Sequence, residues 1–157
     1  AVLLLTVLLH QAIGVCSDIA ELQAAERSAV IEAVQQDGLA LQNASETLRA
    51  DREIVLMAVE ENGHALEFAA DALKSDREFV LTAAQANGLA LGHVSAELKA
   101  DREVALVAVQ QNGNALRGAP LAFKADRELV LAVAQKHGSA VRFAADSMQR
   151  DREVRPN

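Results

Sequence analysis

Between Asp51 and Gly63 the chain sets six consecutive apolar residues, Ile54, Val55, Leu56, Met57, Ala58 and Val59, between a polar Asp-Arg-Glu and an Asn-Gly. An unbroken apolar run of that length predicts a helix covered on more than one side. After Gly63 the pattern thins: Ala65, Leu66, Ala69 and Leu73 fall on one helical face, and Ala115, Leu116, Ala119 and Phe123 repeat it. The pattern is then written again. Asp51, Asp76, Asp101, Asp126 and Asp151 open successive copies, and Gly38, Gly63, Gly88, Gly113 and Gly138 mark their middles, which fixes a period of 25 residues.

Each copy carries helix punctuation. Asp51 is a good N-cap and Glu53 adds negative charge to the first turn, while Ser75 with Glu78 offers an alternative capping box in the next copy. Asp37-Gly38, Asn62-Gly63, Asn87-Gly88, Asn112-Gly113 and His137-Gly138 are read as helix ends closed by a left-handed residue. Pro120 stands where Ser45 and Ser95 stand in other copies, and both residue types favour a helix start over an interior. The prediction is therefore a first helix of about ten residues, a second of one to two turns, and a further turn leading into the next Asp.

A unit this small cannot bury its own apolar faces. Its stability has to come from stacking on neighbours, so the fold class is all-α, with tandem 25-residue helical repeats stacked as an α-solenoid. Leu41, Leu66, Leu91, Leu116 and Val141 share one phase and predict an internal ladder, as do Leu48, Leu73, Leu98, Phe123 and Met148. Composition agrees: 51% of the 157 residues are hydrophobic but only 3% are aromatic, which suits thin helices packed closely. The domain division is an apolar segment at 1–25, five repeats starting at 26, 51, 76, 101 and 126, and the start of a sixth at 151–157.

The opening AVLLLTVLLHQAIGVCSD supports two readings. It resembles a signal-peptide core but lacks an initiator Met and a basic leading region, and at 1–9 its apolar run is shorter than the roughly 20 residues of a membrane span. Alternatively TVLLHQAIG is the first helix of a degenerate copy ending at Gly14, 24 residues before Gly38. A chain that begins without Met and stops inside a repeat reads as a segment of a longer array.

The recurring motif, Asp-Arg-Glu, an apolar run, Asn-Gly, Ala-Leu, then Leu-Lys or Leu-Arg, resembles the repeat named domain of unknown function 4116. The resemblance covers residues 26–154; copy one departs from it with Glu26 and Ser28, and residues 1–25 match loosely. It implies helical repeats and no assigned activity.

The net charge of -7 and the absence of any basic run argue against nucleic acid as a partner. Residues 26–50 carry -2, 51–75 carry -4, 76–100 carry -1, and 101–125 and 126–150 carry +1 each. Such a gradient can orient a protein partner or bias end-to-end self-association. Residues that recur in every copy are needed for stacking, so Arg52, Arg77, Arg102, Arg127 and Arg152 are read as rungs between copies rather than as catalytic groups. His10, His64, His93 and His137 sit at different phases, with no His-Glu-x-x-His or Cys-x-x-Cys motif, and read as scattered surface histidines; a metal-binding pair of His64 and His93 from adjacent copies, four residues apart in phase, is the lesser alternative. No catalytic, cofactor-binding or metal-ligating set is assigned, and nothing in the chain calls for a cofactor.

Positions that vary while their neighbours hold still are the informative ones. In the second helix they form a stripe: Leu39, Gln42, Asn43 and Glu46 in copy one, and His64, Glu67, Phe68 and Asp71 in copy two. On that stripe Phe68, His93, Arg117, Arg142 and Phe143 are the candidate partner-binding residues, because aromatics and Arg dominate binding hot spots. The leading functional expectation is a non-enzymatic scaffold that binds protein along this ridge. A structural subunit or spacer within a larger assembly, with residues 1–16 docked into it, and the regulatory part of a longer enzyme are the alternatives.

Overall fold

The computed structural model describes residues 2–150. It is helical throughout, and the described residues contain no strand. The expected repeat is present. The first helices run Arg52–Glu61, Arg77–Ala86, Arg102–Gln111 and Arg127–Lys136, ten residues each. Each begins where its Asp accepts backbone N–H groups: Asp51 from Glu53 and Ile54, Asp76 from Phe79, Asp101 from Glu103 and Val104, Asp126 from Leu129. Ser75 closes the preceding turn instead of forming a capping box, since the Asp one residue later already occupies the cap.

The second element differs from its expectation in kind. It is a six-residue 3-10 helix, as at Gly63–Phe68 and Gly88–His93, followed by two extended residues and a single α-turn such as Asp71–Lys74. The break falls at Ala69-Ala70, and at the equivalent Ala119-Pro120, where the backbone is extended. Despite the break, Ala65, Leu66, Ala69 and Leu73 are all buried. Leu41, Leu66, Leu91, Leu116 and Val141 form the predicted internal ladder, whereas in the other phase only Leu73 and Leu98 are buried and Leu48, Phe123 and Met148 are half-buried.

The Asn-Gly pairs do not work through a left-handed residue: among the described residues none has a positive φ. Asn62 is extended, at φ -149° and ψ 111°. Its N–H closes the last turn of the first helix on the Ala58 carbonyl at 2.9 Å, and its side chain accepts the His64 N–H at 3.0 Å to start the 3-10 helix. Asp37, Asn87 and Asn112 do the same for Leu39, Leu89 and Asn114. The glycine that follows is required by close approach. A Cβ on Gly38 would lie 2.3 Å from the Ala58 carbonyl oxygen, and one on Gly88 would lie 2.2 Å from that of Ala108, in each case on the end of the next copy's first helix.

Copies pack on their immediate neighbours, first helix on first helix and 3-10 helix on 3-10 helix. The buried pairs Ile54-Val55 and Ala58-Val59 recur as Phe79-Val80 and Ala83-Ala84, so each first helix is covered on two sides. Backbone hydrogen bonds also cross the junctions, from Ala70 N–H to the Arg49 carbonyl, Ser95 to Lys74 and Ala145 to Lys124, at 2.8–2.9 Å. At the matching position between copies three and four stands Pro120, which has no N–H to give.

The recurring arginines form the predicted ladder. Arg27 bonds Asp51 and Glu53, Arg52 bonds Asp76, Arg77 bonds Asp101 and Glu103, and Arg102 bonds Asp126 and Glu128. Each Asp therefore caps its own helix and holds the preceding copy's Arg. Arg52 also lies over the Phe79 ring, 5.2 Å from its centroid. The Arg77 hydrogen bond, with the N–H groups of Val104 and Glu103, holds the Asp101 carboxyl below its usual 3.8, and the Phe79 N–H with Arg52 does the same to Asp76.

At the amino end one helix runs unbroken from Val2 to Gln36. It passes through Gly14, so no helix ends there, and copy one's first helix is the last part of this longer one. A lone Gly costs about 1 kcal/mol in a helix interior, too little to stop it without a cap beyond. Residues 19–26 are exposed along this helix. The start of a sixth repeat at 151–157 lies outside the described residues.

Two predictions follow from the junctions. Gly88→Ala should destabilise the array by about 1–3 kcal/mol, because a backbone oxygen cannot move aside as a side chain can, whereas Gly138→Ala, whose Cβ would meet nothing within 4 Å, should stay within about 0.5 kcal/mol in denaturant unfolding. Carboxylates held below their ordinary range stabilise the fold above about pH 4, and that stability drains away as pH falls through their lowered values. Asp101→Asn keeps a capping oxygen but loses the charge, so thermal melts should show a small loss at pH 7 and a flatter acid limb than the unaltered chain; an unchanged acid limb would rule out the ladder as its source.

Candidate functional site

The varied stripe maps onto the outer face of the 3-10 helices and the turns after them. Because the 3-10 helix repeats every three residues, Leu89 and Gly92 line up along it, as do Asn114 and Arg117. The five candidate residues do not form one continuous ridge. His93, Arg117, Arg142 and Phe143 line a single concavity of about 550 Å³, together with His64. Phe68 lies elsewhere, in a second recess of about 450 Å³ walled by Glu46, Arg49 and Glu67. Phe68 and Phe143 are both half-buried against the core, so each also covers a joint between copies.

Two glycines make room for the larger concavity. Gly92 stands where Gln42, Glu67, Arg117 and Arg142 stand in other copies, and Gly118 where Asn43, Phe68, His93 and Phe143 stand. A Cβ on Gly118 would come within 3.0 Å of the Gly92 Cα, so the two 3-10 helices nearly touch there, whereas a Cβ on Gly92 would meet nothing within 4 Å. Neither glycine was singled out by side-chain chemistry. The signal lay in their departure from the repeat.

The structure brings together the two histidines that the sequence reading set aside as scattered. His64 Nδ1 and His93 Nε2 are 2.9 Å apart, with the rings edge to face. Stacking at one repeat spacing does this: residue 64 is the second of its 3-10 helix and residue 93 the last of the next. Either ring can be the donor, depending on tautomer, and Glu67 Oε2 lies 3.8 Å from His93 Nδ1 on the far side of that ring. Burial, and then His64, hold the His93 pKa below 6.5, with Lys99 and Lys74 pushing the same way and Glu67 opposing.

Arg117 and Arg142 have no carboxylate partner among the described residues, in contrast to Arg27, Arg52, Arg77 and Arg102. Arg142 lies over the Phe143 ring at 4.7 Å from its centroid. Among the described residues that line the concavity there is no Asp or Glu. The arrangement offers two guanidinium groups, two imidazoles and an aromatic face in one recess. Among the described residues no group of three or more His, Cys, Asp or Glu is placed to hold a metal ion, and no helix is long and apolar enough to cross a membrane.

The histidine geometry sets an expectation for NMR. The His93 ring should titrate with a midpoint below 6.5, and Glu67→Gln should lower it further by removing the opposing carboxylate; a midpoint at or above 6.5 would mean that the ring is not desolvated as described.

Two stretches of the chain match a family model. Residues 27–74 and 76–124 each match Domain of unknown function (DUF4116), every match spanning two successive 25-residue copies. No curated protein and no solved structure matches the chain. With more than half its length matched in tandem, and the helical repeats in place across both segments, this chain belongs to the DUF4116 family.

Proposed function

We propose that the chain is a non-enzymatic helical-repeat scaffold that binds a protein partner on the outer face of its 3-10 helices. One observation carries the reading: four of the five variable residues singled out for aromatic or cationic character line a single recess, and two glycines that depart from the repeat open it. Among the described residues the recurring Asp, Arg and Gly positions are engaged in capping, cross-copy pairing or close packing, Gly138 apart, which leaves chemistry for the departures. Phe68 belongs to a neighbouring recess and extends the surface toward copies one and two.

A second reading is a structural subunit within a larger assembly. It is favoured by the exposed Ile19 and Leu22, 51% and 75% accessible on the amino-terminal helix, which a covering chain would bury.

Affinity capture separates these. The array carrying Phe68→Ser, Arg117→Glu and Arg142→Glu should keep its helicity and melting temperature and lose a partner held by the unaltered array. If that partner is retained, the ridge is not the binding surface. If it is lost instead on Leu22→Glu, the assembly reading stands.

A further inference from the structure

We propose that the recess lined by copies two to five takes an acidic peptide segment, with Arg117 and Arg142 holding its carboxylates and Phe143 and Leu89 receiving an adjacent apolar side chain. The inference rests on the ridge reading and names the chemistry of its partner.

The ladder arginines Arg27, Arg52, Arg77 and Arg102 each pair with a carboxylate of the following copy. Arg117 and Arg142 occupy the same repeat phase in adjacent copies, project into the recess, and have no such partner among the described residues. They lie in the two copies whose net charge is positive, within a chain of net charge -7. Guanidinium groups match carboxylates through paired N–H donors. At about 550 Å³ the recess lies within the roughly 300–1,000 Å³ of ligand clefts, and Glu67 of copy two lies 3.8 Å from His93 in its wall. A long polyanion such as nucleic acid would run onto the acidic copies one and two, which carry -2 and -4, whereas a short acidic segment stays on the basic half.

Gly92 supplies a clean test, since a side chain there enters the recess without meeting the stack. The probe is a short fluorescent peptide of alternating glutamate and leucine, measured by anisotropy on the full chain beside its glutamine-for-glutamate counterpart and a single-stranded oligonucleotide. The glutamate peptide should bind at least about tenfold tighter than the glutamine peptide and weaken as salt is raised. Gly92→Gln, which restores the residue type of Gln42, and Arg117→Gln with Arg142→Gln should each cost at least about tenfold with melting unchanged. Equal binding of the two peptides, preference for the oligonucleotide, or undiminished binding by Gly92→Gln would overturn the proposal. If the glutamate peptide fails to bind while a captured partner is still lost on the ridge variant, the acidic chemistry falls and the ridge reading survives.

Discussion

Everything in this solenoid depends on how closely one copy can approach the next at the Asn-Gly corner. There the chain leaves its first helix, turns through an extended residue whose side chain caps the 3-10 helix, and presents a glycine to the neighbouring backbone. With only 2.2–2.6 Å between an ideal Cβ and its nearest neighbour at Gly38, Gly63, Gly88 and Gly113, no larger residue fits unless the copies separate. That approach is what lets Ala, Val and Leu, with little volume each, fill the space between first helices. The sparse aromatic content follows from it.

On the outer rim the same spacing aligns each Arg with the Asp and Glu of the following copy. These pairs are exposed and individually weak, yet the Asp in each is also the cap of its own helix. Helix initiation and register between copies are thereby coupled through one carboxylate. The backbone bonds between copies add a second tie, broken at Pro120, beside the junction where Gly92 and Gly118 also depart from the pattern. Departures from the repeat cluster at this one junction, and the recess sits there.

That clustering links architecture to the proposed role. A solenoid of identical copies presents a uniform surface, so a specific partner requires local differences that leave the stack intact. Gly92, Gly118, Arg117 and His93 meet that condition, since they change the outer face and leave the internal ladder of Leu91 and Leu116 fully buried.

The sequence by itself determined the period, the helix starts at each Asp, the break at Ser and Pro positions, the inner Leu ladder and the Arg rungs between copies. All of these are local patterns or repeat a fixed offset, and a fixed offset becomes a contact once neighbours stack. It determined the family as well, because the repeated signature is dense. Tertiary structure alone decided why glycine recurs: the left-handed ending that an Asn-Gly pair suggests is replaced by an extended turn, since the controlling contact lies about one repeat further along the chain. It also decided that the piece before the break is a 3-10 helix rather than an α-helix, and that Phe68 lines a recess apart from the other four candidates. His64 and His93 met for the same reason. Their separation of 29 residues becomes 2.9 Å only when one 3-10 helix lies beside the next, a geometry that spacing along the chain does not contain.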